Sequence, residues 1–187
     1  MGLFEIILIA VGLSMDAFAV SVTLGLSVKE PKIKEILTPG VYFGFFQAVM
    51  PLIGYFSGIH FASKIQNLDH WIAFVLLGFI GGKMIKDSFS KEEKKLDKKP
   101  FRFRTMLLLA IATSIDALVV GITFAFLKTN IFKAILIIGL ITFFISVGGM
   151  KMGNKLGTRF ESKAEFVGGA ILVILGFKIL IEHLFFQ

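Results

Sequence analysis

Cysteine is absent from this chain of 187 residues, which removes disulfides, thiolate metal centres and thiol nucleophiles from consideration. Histidine is scarce. His60, His70 and His183 fall at the edges of apolar stretches rather than inside them, so the imidazole and thiolate donors usual for zinc and copper are missing there. No P-loop of the G-x-x-x-x-G-K-[ST] kind occurs, which argues against direct nucleotide drive. Charge is sparse too, at 18% of residues against 56% hydrophobic ones, and the mean hydropathy is +0.84. That is too apolar for an ordinary soluble domain, so a bilayer must act as solvent.

Crossing the hydrocarbon takes roughly 20 apolar residues per helix. Six stretches qualify, at about 3 to 27, 36 to 59, 70 to 89, 105 to 127, 131 to 153 and 164 to 185. The expected fold is all-α, a polytopic membrane protein of six transmembrane helices. The opening Met1-Gly-Leu-Phe-Glu5 carries no Lys or Arg before the first apolar run, and Asp16 interrupts that run, so this segment is expected to be a retained span, not a cleaved leader. The net charge of +7 is explained by topology and not by nucleic acid, because no basic face with stacking aromatics accompanies it. Loops after spans one, three and five hold Lys29, Lys32, Lys34, then Lys86 through Arg104, then Lys155, Arg159 and Lys163; those after spans two and four hold only Lys64, Lys128 and Lys133. Basic loops stay cytoplasmic, which places both termini outside.

An internal repeat is visible at an offset of 100. Gly12-Leu-Ser-Met-Asp16-Ala-Phe-Ala-Val20-Ser-Val-Thr23 is matched by Ala112-Thr-Ser-Ile-Asp116-Ala-Leu-Val-Val120-Gly-Ile-Thr123. At an offset of 99, Gly40, Gly54 and Gly58 fall on Gly139, Gly153 and Gly157, and Gln47 falls on Ser146; near the ends of spans three and six, at an offset of 95, Lys83 with Asp87 falls on Lys178 with Glu182. Three spans cross the membrane an odd number of times, so the second copy enters from the opposite side. The expected organisation is two inverted three-helix repeats, residues 1–89 and 105–187, joined by a charged cytoplasmic linker at 90–104. Secondary transporters of that build place a substrate site near the midplane, between the copies.

Asp16 and Asp116 lie near the centres of their spans, where an unpaired carboxylate costs at least about 3 kcal/mol. Two ionised carboxylates converging there must share protons or bind a cation. At helical spacing Thr23 shares a face with Asp16, and Thr113 and Thr123 share one with Asp116. Ser14 and Ser114 point roughly the other way and join a site only where the helix is locally opened. Gln47 offers an amide oxygen from span two, and Ser146 and Thr142 offer hydroxyls one turn apart on span five. Carboxylate, hydroxyl, amide and water oxygens suit a hard divalent cation such as magnesium, calcium or manganese. The candidate metal set is therefore Asp16, Asp116, Gln47, Thr23, Thr123, Ser14, Ser114 and Ser146, with no resident cofactor. Met15, whose counterpart is Ile115, is expected to pack. Lys83 and Lys178 each have an acidic residue at i+4 and are expected to snorkel to the interface, although their recurrence leaves a gating role open. Pro39 and Pro51 predict a bend or break in span two.

The segments Gly12-Leu-Ser-Met-Asp-Ala-Phe-Ala19, Pro51-Leu-Ile-Gly54, His70-Trp-Ile-Ala-Phe-Val-Leu-Leu77, Gly81-Gly-Lys-Met-Ile85 and Ala110-Ile-Ala-Thr-Ser-Ile-Asp-Ala117 resemble those of the bacterial manganese efflux pump family. The resemblance runs the length of the chain. It implies a multi-pass inner-membrane exporter that is not an enzyme, with manganese(II) as its substrate and Asp16 and Asp116 in the transport path. Some members of that family carry Glu where this chain has Gln47, so the site here has less negative charge. Titratable groups in a low-dielectric site make protons the expected counter-ion, with a uniport as the other possibility. Two rivals belong to other classes. An exporter of an amino acid or other small organic solute fits the same architecture, and an intramembrane aspartyl protease also needs two aspartates, but its Gly-x-Gly-Asp context is absent. Oligomeric state is not readable from these residues.

Overall fold

The computed structural model describes residues 1–28, 30–62, 69–89, 101–156, 166, 170–178 and 180–181. Among them the order is α1 (Leu3–Leu26), α2 (Ile33–Ala62), α3 (Asp69–Ser88), α4 (Phe103–Phe126) and α5 (Ile131–Leu156), with residues 170–178 also helical. Residues 90–100 of the expected linker at 90–104, with Lys29, Lys64, Gly157, Arg159 and Lys163, lie outside the described residues, as do Glu182, His183 and the side chains of His70 and Asp87. The helices α1, α2, α4 and α5 each contain a stretch long and apolar enough to cross a membrane. α3 also has the length, but Asp69, Lys83, Lys86 and Asp87 crowd its ends. The large apolar side chains that face outward, among them Phe4, Phe45, Phe79, Phe132 and Phe144, suit a surface solvated by lipid tails.

Local chemistry sets the helix ends. The carboxylate of Glu5 accepts a bond from the Gly2 N–H at 2.9 Å and that of Glu35 from the Lys32 N–H at 2.8 Å, each satisfying a donor at a helix start. Asn130 does the same for α5 by accepting from the Lys133 N–H at 3.2 Å. α4 closes on Lys128, whose φ of 50° is left-handed, with Thr129 N–H donating to the Phe124 carbonyl and Lys128 N–H to that of Ala125. Those two bonds form the paired C-terminal closure that usually calls for glycine. α2 is a continuous helix through Pro39 and Pro51, so of the expected bend or break the break is not there.

Backbones meet where side chains vanish. α5 lies along α1, and a Cβ on Gly153 would stand 2.0 Å from the Val22 carbonyl oxygen. α2 lies along α4 in the same way, a Cβ on Gly54 falling 1.9 Å from the Leu118 carbonyl oxygen and 3.1 Å from the Ile122 nitrogen. Only glycine allows such approaches. α2 also crosses α5, with Gly44 against Gly139 and Phe143, and Gly40 against Phe143 and Val147.

The buried side chains form two apolar clusters. One joins Ile9 and Leu13 of α1, Leu77 and Ile80 of α3, Ala117 and Phe124 of α4 and Ile138 of α5 with Leu172 and Leu175. The other joins Ala17, Val20 and Leu24 of α1, Phe43 of α2, Met106 and Ala110 of α4, and Met150 of α5.

Candidate functional site

Polar residues collect in the gap between those two clusters, on four helices independently. On α1, Ser14 and Asp16 fall between Leu13 of the first cluster and Ala17 of the second. On α4, which supplies the clusters in the opposite order, Thr113, Ser114 and Asp116 fall between Ala110 and Ala117. On α5, Thr142 and Ser146 separate Ile138 from Met150, and on α2, Gln47 separates Phe43 from Met50, which packs against the first cluster. A polar layer with an apolar plug on either side follows from these positions. Met15 packs against the first cluster, as expected of a side chain that fills space.

Asp116 is 8% exposed and its Oδ1 receives the Lys83 ammonium at 3.3 Å. The Lys83 side chain is 49% exposed while the Asp116 side chain is 11% exposed, so a fixed, deep carboxylate meets a lysine on a long, open stem. The snorkelling expected of Lys83 is therefore not the direction its ammonium takes. Lys83 follows Ile80 by one turn on α3, and Ile80 shares the first cluster with Ala117, which places the lysine at the level of the polar layer. Asp16 is partly buried and has a polar or electrostatic contact of its own. Lys178 pairs with Oε1 of Glu5, near the start of α1.

Gln47 is fully buried. Its Nε2 donates to the Leu13 carbonyl at 2.8 Å, tying α2 to α1 one turn before Asp16, and its Oε1 has no hydrogen-bond partner among the described residues. An unpaired buried acceptor is costly, and natural structures retain one where an ion, a water or a mechanism needs it.

The hydroxyls divide into two kinds. Ser14 donates to the Val11 carbonyl at 2.8 Å, Ser114 to that of Ala110 at 2.7 Å, Thr23 to that of Ala19 at 3.1 Å and Thr123 to that of Val119 at 3.3 Å. These bonds lie inside continuous helices, so neither α1 nor α4 is opened at its aspartate. Each such hydroxyl spends its proton on its own helix and keeps lone pairs for an acceptor role. Thr142 and Ser146 are fully buried yet their hydroxyls make no hydrogen bond among the described residues. Their i, i+4 spacing stacks them on one face of α5.

Of the eight expected ligands, Asp16, Ser14, Asp116, Ser114, Gln47 and Ser146 fall in the polar layer. Thr23 and Thr123 lie two turns along their helices, beside Leu24 and Phe124 of opposite clusters. The partnership of Lys83 with Asp116 was not among the expectations. Its signal was the recurrence of Lys83 at Lys178, which an acidic neighbour at i+4 made look local. Among the described residues no three His, Cys, Asp or Glu come together, so the layer offers two carboxylates amid neutral oxygens rather than an acidic cage.

Comparison with known proteins now decides the family. Residues 30–180 match the model of the family described as "Putative manganese efflux pump". The chain belongs to this family. It is 55% identical over 187 residues, all of both chains, to "Putative manganese efflux pump MntP" of Campylobacter jejuni strain RM1221. It is 52% identical to the protein of the same name from Desulfitobacterium hafniense, covering all of this chain and 98% of that one, and 49% identical over the whole of both chains to that of Mannheimia succiniciproducens. No solved structure matches. A family of efflux pumps is one of transporters and not of enzymes.

Proposed function

We propose that this chain exports manganese(II) across the bacterial inner membrane as a secondary transporter, with Asp16 and Asp116 as the charged ligands of a midplane site. The observation that carries the proposal is the polar layer held between two apolar plugs, which is what an ion site closed to both sides requires. Gln47 Oε1, Thr142 and Ser146 are the neutral oxygens with free capacity beside the carboxylates. Such a donor set suits a hard divalent cation, and manganese is the one named for the relatives.

The six-span inverted repeat belongs to the same proposal, and contact registers support it. A Cβ on Gly153 would stand 2.0 Å from the Val22 carbonyl oxygen, and one on its counterpart Gly54 1.9 Å from the Leu118 carbonyl oxygen, so α5 meets α1 as α2 meets α4, one helical turn off the register of an exact repeat. Where α2 crosses α5, Gly44 on Gly139 exchanges with Gly40 on Phe143 under the offset of 99. On this reading the basic linker faces the cytoplasm, manganese enters from that side, and rocking of the halves transfers access to the other. The carboxylates then take up protons in place of the metal, which couples export to proton return.

The test is cellular metal content in manganese-sensitised bacteria expressing the wild type, D16N or D116N at matched membrane levels. Wild type lowers manganese but not magnesium, iron or zinc, and both variants fail to. Unchanged manganese with wild type overturns export and brings the organic-solute reading forward, whereas variants as active as wild type overturn the site alone. Proton coupling is checked separately in proteoliposomes, where an imposed pH gradient drives manganese flux and its collapse stops it; flux indifferent to the gradient leaves a uniport.

A further inference from the structure

We propose that the Lys83 ammonium is a tethered stand-in for the transported cation, holding Asp116 in the ion-free protein until the metal displaces it. The inference rests on the exporter reading above. Its starting point is geometric: a carboxylate in the polar layer, 8% exposed, has its Oδ1 3.3 Å from a lysine nitrogen. A divalent cation bound at that oxygen would repel the ammonium at close range in a medium of low dielectric, so the two exclude each other. The partner able to leave is the lysine. Asp116 sits near the middle of α4 on a short, buried side chain, whereas Lys83 has four methylenes of stem and is half exposed. Withdrawal needs rotamer changes and no movement of α3.

Position matters as much as charge. α3 runs toward the linker, and Lys83 comes after Ile80 of the first apolar cluster, so it stands on the linker side of that plug. On the topology read above, that is the side from which a cytoplasmic cation arrives. A lysine in this place sets the affinity of the loading state, because every ion bound must first break an existing charge-assisted bond. It also spares the carrier from presenting a bare carboxylate to the membrane interior after release.

A lysine that merely neutralises Asp116 for folding predicts something different, and three variants separate the two roles. Manganese-54 binding to the full chain in lipid nanodiscs is measured at pH 8, where protons compete least, for wild type, K83Q, K83R and D116N. The stand-in role predicts an order. K83Q binds manganese about tenfold more tightly than wild type, the effect of removing one charged competitor. K83R binds it several-fold more weakly, since a guanidinium grips a carboxylate with two parallel bonds. A purely folding role predicts K83R equal to wild type and K83Q equal or weaker; that result, with D116N still unable to bind, overturns the inference and leaves the exporter site standing. D116N binding as wild type does would overturn the site itself. Should K83Q fail to reach the membrane, K83R decides alone: weaker binding sustains the proposal and unchanged binding ends it.

Discussion

Asp116 is buried and meets Lys83, while its counterpart Asp16 is only partly buried, and Lys178, the counterpart of Lys83, pairs with Glu5 near a helix start. Gln47 spans from α2 to the Leu13 carbonyl of α1, while its counterpart Ser146 is too short to span anything and is left without a bond among the described residues. On the proposed repeat, the pairs α1 with α5 and α2 with α4 both meet through close glycine contacts, and the polar groups they carry differ. Backbone contact is fixed by van der Waals distance and tolerates nothing but glycine, so matched positions stay alike. On the proposed export cycle, polar groups at matched positions are free to specialise, because one side loads and the other releases.

The largest expected effect breaks the comparison at its charged centre. D116N and D16N each reduce manganese export to background, but they differ in how. D116N also leaves the Lys83 ammonium without its carboxylate, so it lowers the unfolding midpoint in detergent as well as activity. A D116N midpoint equal to that of wild type would show that the Lys83 pair adds nothing to folding. Next come the close contacts. G54V and G153V drive side chains into carbonyl oxygens that a Cβ alone would approach to about 2 Å, and each is expected to cost roughly 1–3 kcal/mol or to prevent assembly. Similar losses in the two, by urea or SDS unfolding, support matched halves, and tolerance of one but not the other sinks that symmetry.

Smaller effects sharpen the polar difference. Q47A removes both the tie to α1 and the unpaired oxygen, with a stability loss of about 1 kcal/mol and weaker manganese binding. S146A removes a hydroxyl that bonds nothing among the described residues, so stability holds while binding falls modestly. Q47E adds a carboxylate to the layer and is expected to tighten manganese binding. A variant S146A that unfolds easily but binds normally would mean that the Ser146 hydroxyl serves packing and not the ion.

Much of this was legible in the residues. Long apolar runs in a cysteine-free chain read as spans, and α1, α2, α4 and α5 are each long and apolar enough to be one; the repeated Ser-x-Asp-Ala segments singled out two carboxylates that fall between the two apolar clusters. Three things were not legible. Lys83 and Asp116 are joined by the fold, and the acidic residue at i+4 offered a nearer partner on paper. Proline predicted a bend or a break in span two, and the break is absent because an apolar helix in lipid has no water to bond its freed groups. The fate of each hydroxyl, turned onto its own helix or left for a ligand, depends on neighbours that spacing cannot supply.

The smallest prediction concerns the links between helices, where the halves again differ. Residues 127–130 join α4 to α5 through a tight closure centred on Lys128, whose φ of 50° puts a branched Cα in left-handed backbone. The corresponding link at 27–32 carries Pro31 and ends on the Glu35 cap. Lysine at the left-handed position costs about 1 kcal/mol relative to glycine, because its Cβ crowds the following carbonyl. K128G is therefore expected to raise the unfolding midpoint slightly and to leave manganese export unchanged, since the residue lies at the end of α4, far along the helix from Asp116. Lower stability would mean that the Lys128 side chain contributes more than its backbone strain costs. A change in export would mean that the turn moves during the transport cycle, and that the difference between the two links, like that between the two aspartates, belongs to function.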